Sequence, residues 1–247
     1  MKKVVIGDIT LYCGDSLELL RQGVFGQFGA IVSDPPYGIG YQHGGHVSQF
    51  ANGHSCAART APIAGDDVPF DPSPWVEAAA QAMPRKGAGF RATDAVPRVV
   101  LWGAARFRAR LPEYGTLLAW DKHLGRGPDD HFTDCEWAWC SLKAKREVFR
   151  WLWKGVARNA SQPLDWQGTV KRLHVSQKPV ELMRWSIDKA RPLAGLPILD
   201  PYMGSGSTLI AAMSLGLPAI GCELDEEIFE QACERVRHAY ATHGAPA

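Results

Sequence analysis

Asp34-Pro35-Pro36-Tyr37 follows directly on the apolar run Ala30-Ile31-Val32-Ser33, so a carboxylate, two rigid carbonyls and an aromatic ring stand together at a predicted strand end. That set suits the activation of a planar exocyclic amine. The lone pair of a nitrogen such as adenine N6 or cytosine N4 is delocalised into its ring, and the amine is activated by acceptors that take its hydrogens. Asp34 can take one and the Pro35 carbonyl another. Neither Pro35 nor Pro36 can donate an N–H, and both have φ fixed, so their carbonyls are held outward at little entropic cost. Tyr37 can then stack on the base. The same residues are also ordinary turn vocabulary after a strand, with Asp at the first position and Pro at the second.

A second constellation lies near the C-terminus. Leu196–Asp200 predicts a short buried strand, Pro201-Tyr202-Met203-Gly204-Ser205-Gly206 a glycine loop, and Ser207-Thr208 the start of a helix running through Met213. Glycines let the backbone approach a ligand, and Ser207 or Thr208 can cap a helix whose free N–H groups favour an anion. A further strand, Ala219–Cys222, ends in Glu223, an acidic residue placed to hold ribose hydroxyls. A G-x-G-x-x-G loop for NAD would need a third glycine where this chain has Leu209. Asp200 at the strand tip would repel a pyrophosphate, yet it could pair with the amino group of a cofactor that carries an amino acid beside its adenosine. A plain turn with glycine at a tight bend is the alternative.

Together these residues resemble the amino-group DNA methyltransferases. Asp34-Pro35-Pro36-Tyr37 looks like their catalytic tetrapeptide, and Asp200-Pro201-Tyr202-Met203-Gly204-Ser205-Gly206-Ser207 is similar to their cofactor loop. His174-Val175-Ser176-Gln177-Lys178-Pro179 resembles the His-Pro-Thr-Gln-Lys-Pro signature and departs from it at Val175 and Ser176. The tetrapeptide precedes the cofactor loop, which resembles the permuted β subclass. The resemblance covers residues 1–45 and 98–241.

It implies a doubly wound, mostly parallel α/β sheet of the Rossmann-like methyltransferase type. The implied cofactor is S-adenosyl-L-methionine, bound by Asp15, Ser16, Asp34, Gln177, Lys178, Asp200, Pro201, Gly204, Ser205, Gly206, Ser207, Thr208 and Glu223. In the family the lysine region reaches the cofactor, where an ammonium can meet a carboxylate. Asp34, Pro35, Pro36 and Tyr37 are then the catalytic residues, acting on a flipped base in double-stranded DNA. Adenine N6 is favoured over cytosine N4 because Asp rather than Ser opens the tetrapeptide. No metal is needed, since methyl transfer from a sulfonium is an in-line displacement supported by positioning and amine activation. Members of the subclass often dimerise, so a homodimer is an expectation as well. Methylation of RNA or of a protein glutamine, for which related Asn-Pro-Pro-Tyr tetrapeptides serve, is one rival; a noncatalytic nucleic-acid-binding module is another.

These residues need a frame. With 247 residues and 46% apolar content the chain can bury one α/β core, expected as a single domain over 1–247. Val4–Ile6 and Thr10–Cys13 predict a hairpin, Asp15-Ser16 the cap of a helix through Leu20, and Arg98–Trp102 and Thr116–Trp120 core strands joined by a helix over Ala104–Leu111. Glu136–Cys140 alternates like a half-buried strand, Val180–Ala190 predicts a helix with Pro179 at its first position, and Glu226–Ala241 a closing amphipathic helix. Residues 38–74 show no period and end in Asp71-Pro72-Ser73-Pro74, a predicted stop; a loop this long suggests a mobile element closing over the base. His43, His46 and His54 within it have no tight ligand spacing.

Net charge is only +1, but two tracts are basic: Arg85, Lys86, Arg91, Arg98, Arg106, Arg108 and Arg110, then Lys143, Lys145, Arg146, Arg150, Lys154, Arg158, Lys171 and Arg172. They could neutralise phosphates without reading sequence, or simply be solvated. The second tract falls within 121–172, where Trp137, Trp139, Trp151, Trp153 and Trp166 also crowd, making this stretch the candidate target-recognition insertion. Most of those tryptophans are expected in the core. No cysteine pair has metal-site spacing, so Cys135 and Cys140 are expected as buried thiols. The N-terminal apolar stretch is too short for a secretory signal and no run reaches membrane-spanning length, so a cytoplasmic protein is expected.

Overall fold

The computed structural model describes residues 1–38, 65–83, 95–124, 133–143, 145–154, 157–158 and 177–243. One sheet is built from β1 (Lys2–Ile6), β2 (Ile9–Cys13), β3 (Ala30–Ser33), β4 (Val99–Trp102), β5 (Thr116–Asp121), β6 (Cys135–Cys140), β7 (Val148–Arg150), β10 (Ile198–Asp200) and β11 (Ala219–Glu223). Its nine strands run in the order β1-β2-β11-β10-β3-β4-β6-β5-β7. Strands β2, β11, β10, β3 and β4 are parallel, whereas β1 and β6 run against their neighbours. A separate small hairpin pairs β8 (Trp153–Lys154) with β9 (Ala157–Arg158).

The central strands are apolar on both faces because both faces are covered, as a parallel sheet requires. Alternate residues divide between two cores. Val32, Val100 and Trp102 face α3 (Val180–Ala190), α4 (Ser207–Ser214) and α5 (Glu226–His243), while Ile31, Val99 and Leu101 face Leu19 of α1 (Ser16–Arg21) and Trp75 and Ala79 of α2 (Ser73–Gln81). The expected α/β class with a doubly wound sheet is therefore the observed one. After β10 the chain proceeds to β11, and after β3 to β4, so these adjacent strands send the chain in opposite directions. Such a reversal opens a crevice at the carboxyl ends of the strands.

Several local expectations change. No α-helix spans 104–111; only Arg108–Arg110 make a 3-10 turn, and Leu111 is extended at ψ 147°, as a residue before proline must tend to be. Asp71-Pro72-Ser73-Pro74 starts a helix instead of stopping the chain, with Pro72 at the N-cap of α2 and Pro74 in its first turn, where a missing N–H costs nothing. Pro179 is the N-cap residue of α3 and not its first helical residue. Cys140 is buried but Cys135 is exposed. Within 121–172, β6 and β7 are strands of the main sheet and Trp139 and Trp153 are buried, whereas Trp137 is exposed. His43, His46, His54, Trp166 and residues 39–64 of the proposed loop lie outside the described residues. Among the described residues, no helix is long and apolar enough to cross a membrane.

Candidate active site

Strand direction gathers the chemistry at one edge. Asp15 follows β2, Glu223 ends β11, Asp200 ends β10, Asp34 follows β3 and Gly103 follows β4, all at the carboxyl edge. Because β6 is antiparallel to β4 and to β5, its first residues reach the same edge, which brings Glu136 beside the end of β5 and Lys122. The early tetrapeptide and the late glycine loop are joined directly: Ser33 Oγ donates to Asp200 Oδ1 at 2.6 Å.

Asp34 is the focus of an ionic cluster. Its Oδ1 accepts from the Tyr37 hydroxyl at 2.6 Å and its Oδ2 lies 2.7 Å from Lys178 Nζ. Burial pushes the Asp34 carboxyl above its ordinary range, with Lys178 pulling the other way. The lysine itself is held well above its usual value, because the pull of Asp34 and Glu136 outweighs the burial that lowers it. Its side chain is 8% exposed, and Nζ also lies 3.1 Å from Glu136 Oε2 and 3.3 Å from the Tyr37 hydroxyl. Glu136 in turn pairs with Lys122 at 2.9 Å. Burial would raise its carboxyl, but the two lysines hold it down at about 2. Lys178, read in the sequence as reaching a cofactor carboxylate, is paired in this structure with Asp34. Its carbonyl accepts from Ser207 Oγ at 2.7 Å, so one residue ties the tetrapeptide to the glycine loop.

Tyr37 is seated against Gly103, where a Cβ would come within 2.0 Å of its ring. Neither Gly103, Glu136 nor Lys122 was singled out in the sequence. Glu136 carried a signal, an acid opening an otherwise aromatic strand; Gly103 carried none beyond its place at a strand end.

The glycine loop has a different internal support from the one expected. The N-cap of α4 is Gly206 at φ 82°, without a side-chain cap, and Ser207 and Thr208 lie inside the first turn. Ser207 and Ser205 accept from the buried Arg235 of α5, at 3.0 and 3.1 Å to their hydroxyls. Thr208 bonds Asp200, and Ser16 bonds the Tyr202 hydroxyl. These hydroxyls support the loop from within. Gln177 gives its carbonyl to Trp153 Nε1. Asp15 caps α1 by accepting from Glu18 N at 2.9 Å and remains exposed. Glu223 accepts from Gly204 N at 3.1 Å, and burial raises its carboxyl.

Asp200 is 3% exposed, and burial pushes it up to about 6 against the hydrogen bonds from Ser33, Thr208 and Tyr202 N. Its folded value lies above the unfolded one, so this ionised carboxylate costs stability above pH 6, a cost that fades as the pH falls toward the unfolded value. Asp200→Asn keeps an oxygen for Ser33 and Tyr202 N. It is expected to raise unfolding stability at pH 8 by about 1–3 kcal/mol and to lose that advantage near pH 4; denaturant titration at the two pH values checks this, and no gain at pH 8 contradicts it.

The basic tracts divide by edge. Arg98 is buried at the start of β4, and Lys143, Lys145 and Arg146 lie in the β6–β7 connection at the far edge. Arg106 and Arg108 follow β4, and Arg150 ends β7, all exposed at the carboxyl edge of the sheet. Arg85, Lys86, Arg91, Lys171 and Arg172 lie outside the described residues, as do His174, Val175 and Ser176.

The sheet and its crevice define a Rossmann-like methyltransferase fold. The solved structure of the M1.HpyAVI–SAM complex superposes with a TM-score of 0.53 at 22% identity, covering 92% of this chain and 99% of that one. In sequence, the type II methyltransferase M.ScaI of Streptomyces caespitosus is 24% identical over 93% of this chain and 81% of its own. M.HindIII of Haemophilus influenzae is 41% identical over a shorter stretch, 27% of this chain and 21% of its own. The DNA methylase family N6_N4_Mtase matches residues 117–234, a stretch that includes Lys178, the glycine loop and Glu223 and stops short of the tetrapeptide. Over these stretches the chain is similar to the amino-group DNA methyltransferases.

Proposed function

We propose that this chain transfers a methyl group from S-adenosyl-L-methionine to the N6 amino group of adenine in double-stranded DNA, as a cytoplasmic member of the permuted β subclass. The observation that carries the reading is the pairing of β3 with β10, which sets Asp34 and Asp200 at adjacent strand tips with Ser33 bonded to Asp200.

The donor set of the crevice fits the cofactor. Asp15, Asp200 and Glu223 stand at the tips of three adjacent strands, while Lys178 is committed to Asp34 and Glu136. A crevice lined by carboxylates suits a ligand with an ammonium group and ribose hydroxyls and disfavours a pyrophosphate. When bound, the cofactor supplies an electrophilic methyl carbon on a sulfonium. Asp34 and the Pro35 carbonyl accept the two hydrogens of the target amine, the Tyr37 hydroxyl giving up its place on Oδ1. The Tyr37 ring stays on Gly103 and stacks on the base, replacing stacking lost when the nucleotide leaves the duplex. Arg106, Arg108 and Arg150 face phosphates at the rim. Asp at the first position of the tetrapeptide favours adenine over cytosine by resemblance to the family.

Transfer of tritiated methyl to plasmid DNA, with none to tRNA or protein, followed by recovery of N6-methyladenine from the digested DNA, is the expected result. N4-methylcytosine would overturn the choice of base, and transfer only to tRNA or protein would overturn DNA as the substrate.

A further inference from the structure

Asp34 would need only Lys178 to remain ionised in a buried place, yet the site carries a second carboxylate and a second lysine. Lys178 Nζ lies between Asp34 Oδ2 at 2.7 Å and Glu136 Oε2 at 3.1 Å, and Glu136 Oε1 lies 2.9 Å from Lys122 Nζ. The side chains of Lys178, Lys122, Asp34 and Glu136 are 8, 14, 16 and 23% exposed. They come from four places: the residue before the N-cap of α3, the residue after β5, the residue after β3 and strand β6. Desolvating this many charges offsets much of what their attraction returns, so stability alone is a poor reason for the cluster. Its geometry is also uneven. Lys178 makes its shorter contact with Asp34, at 2.7 Å, and the longer one with Glu136 Oε2, at 3.1 Å.

We propose that Glu136, braced by Lys122, is a positioning residue that shares the Lys178 ammonium with Asp34, so that the Asp34 carboxylate is not locked to Lys178 and can exchange its present partners for the hydrogens of the target amine. This rests on the reading of Asp34 as the acceptor of that amine. The groups facing Asp34 are the Tyr37 hydroxyl on its own loop, Lys178 ahead of α3, Glu136 on β6 and Asp200 on β10, with Lys122 behind Glu136. Removing the charge of Glu136 takes away a repelling anion and leaves Lys178 to Asp34 alone. Oδ2 is then locked in a tight pair. Removing the charge of Lys178 leaves Asp34 facing Glu136 and Asp200 without a cation. Removing Lys122 frees Glu136 to draw Lys178 toward itself. The first change favours an ionised Asp34 and the other two disfavour it.

The test uses Glu136→Gln, Glu136→Asp, Lys178→Gln and Lys122→Met in the full chain. Two quantities are followed against pH: the 13C shift of the Asp34 side-chain carboxyl in the free protein, and kcat and KM for duplex DNA. Glu136→Gln is expected to move the Asp34 midpoint down and to lower kcat about 10- to 100-fold, with KM for S-adenosylmethionine unchanged. Lys178→Gln and Lys122→Met move the midpoint up, and Glu136→Asp restores most of kcat. A midpoint shared by all the proteins, or shifts of one sign, overturns the proposal. If Glu136→Gln does not fold, the upward shift in Lys122→Met decides. The carboxyl titration needs no turnover, so failure of the unaltered chain to methylate DNA would refute the amine-acceptor reading separately.

Discussion

Asp34→Ala is expected to lower methyl transfer by about 10³-fold or more while leaving the protein folded and able to bind S-adenosylmethionine. The loss follows from the chemistry of the amine: without the carboxylate, the Pro35 carbonyl is the one acceptor left for two hydrogens, and the nitrogen lone pair stays in the ring. Retained folding follows from the cluster. Truncating one partner of a buried pair usually strands a charge at a cost of about 3–5 kcal/mol, but Lys178 keeps Glu136 at 3.1 Å. Cofactor binding survives because Glu223 and Asp15 stand two and three strands from Asp34, and Asp200 loses only a repelling neighbour. Calorimetric titration with S-adenosylmethionine beside a tritium-transfer assay separates the outcomes. Full activity would remove Asp34 from the chemistry, and lost cofactor affinity would place it in the cofactor site instead.

What the sequence made legible was whatever depends on local pattern. The hairpin Lys2–Cys13, the strand before Asp34, the strand before the glycine loop and the helix Val180–Ala190 are each announced by an apolar period and punctuated by Gly, Pro or Asp, and each is present. The joining of Asp34 to Asp200 was legible only through the grammar of parallel sheets, because 165 residues separate positions that end as neighbours. What stayed hidden were side-chain partnerships made across strands. Lys178 precedes a helix, where a lysine is ordinarily solvated, and nothing nearby in sequence says that Asp34 and Glu136 flank it. Ser207 and Thr208 have the residue types of caps, but a glycine in the left-handed region holds the N-cap and turns both hydroxyls inward, to Lys178 O and Asp200. The basic tracts look continuous along the chain, and only the reversal of β6 reveals that Lys143, Lys145 and Arg146 stand at the edge away from the crevice.

Gly103→Ala should lower methyl transfer about 10- to 100-fold, the worth of one base stacked on an aromatic ring. Gly103 has φ 79°, a conformation that costs an L-residue about 1–2 kcal/mol, and the added methyl would lie 2.0 Å from Tyr37 Cε1. The backbone has little room to yield: the Gly103 carbonyl accepts from Arg106 N at 2.8 Å, and Ala104 N donates to Trp137 O at 3.0 Å. The ring must therefore move, taking its hydroxyl from Asp34 Oδ1 and its face from Lys178 Nζ, now 5.8 Å from the ring centroid. Asp34 keeps Lys178 and stays ionised, so the loss should appear in DNA binding and kcat, with S-adenosylmethionine affinity unchanged. A fluorescent base analogue at the target position reports the stacking directly: quenching on binding in the unaltered protein should weaken in the variant. Increased activity would show that the seat on Gly103 is a resting pose the ring must leave before the base enters.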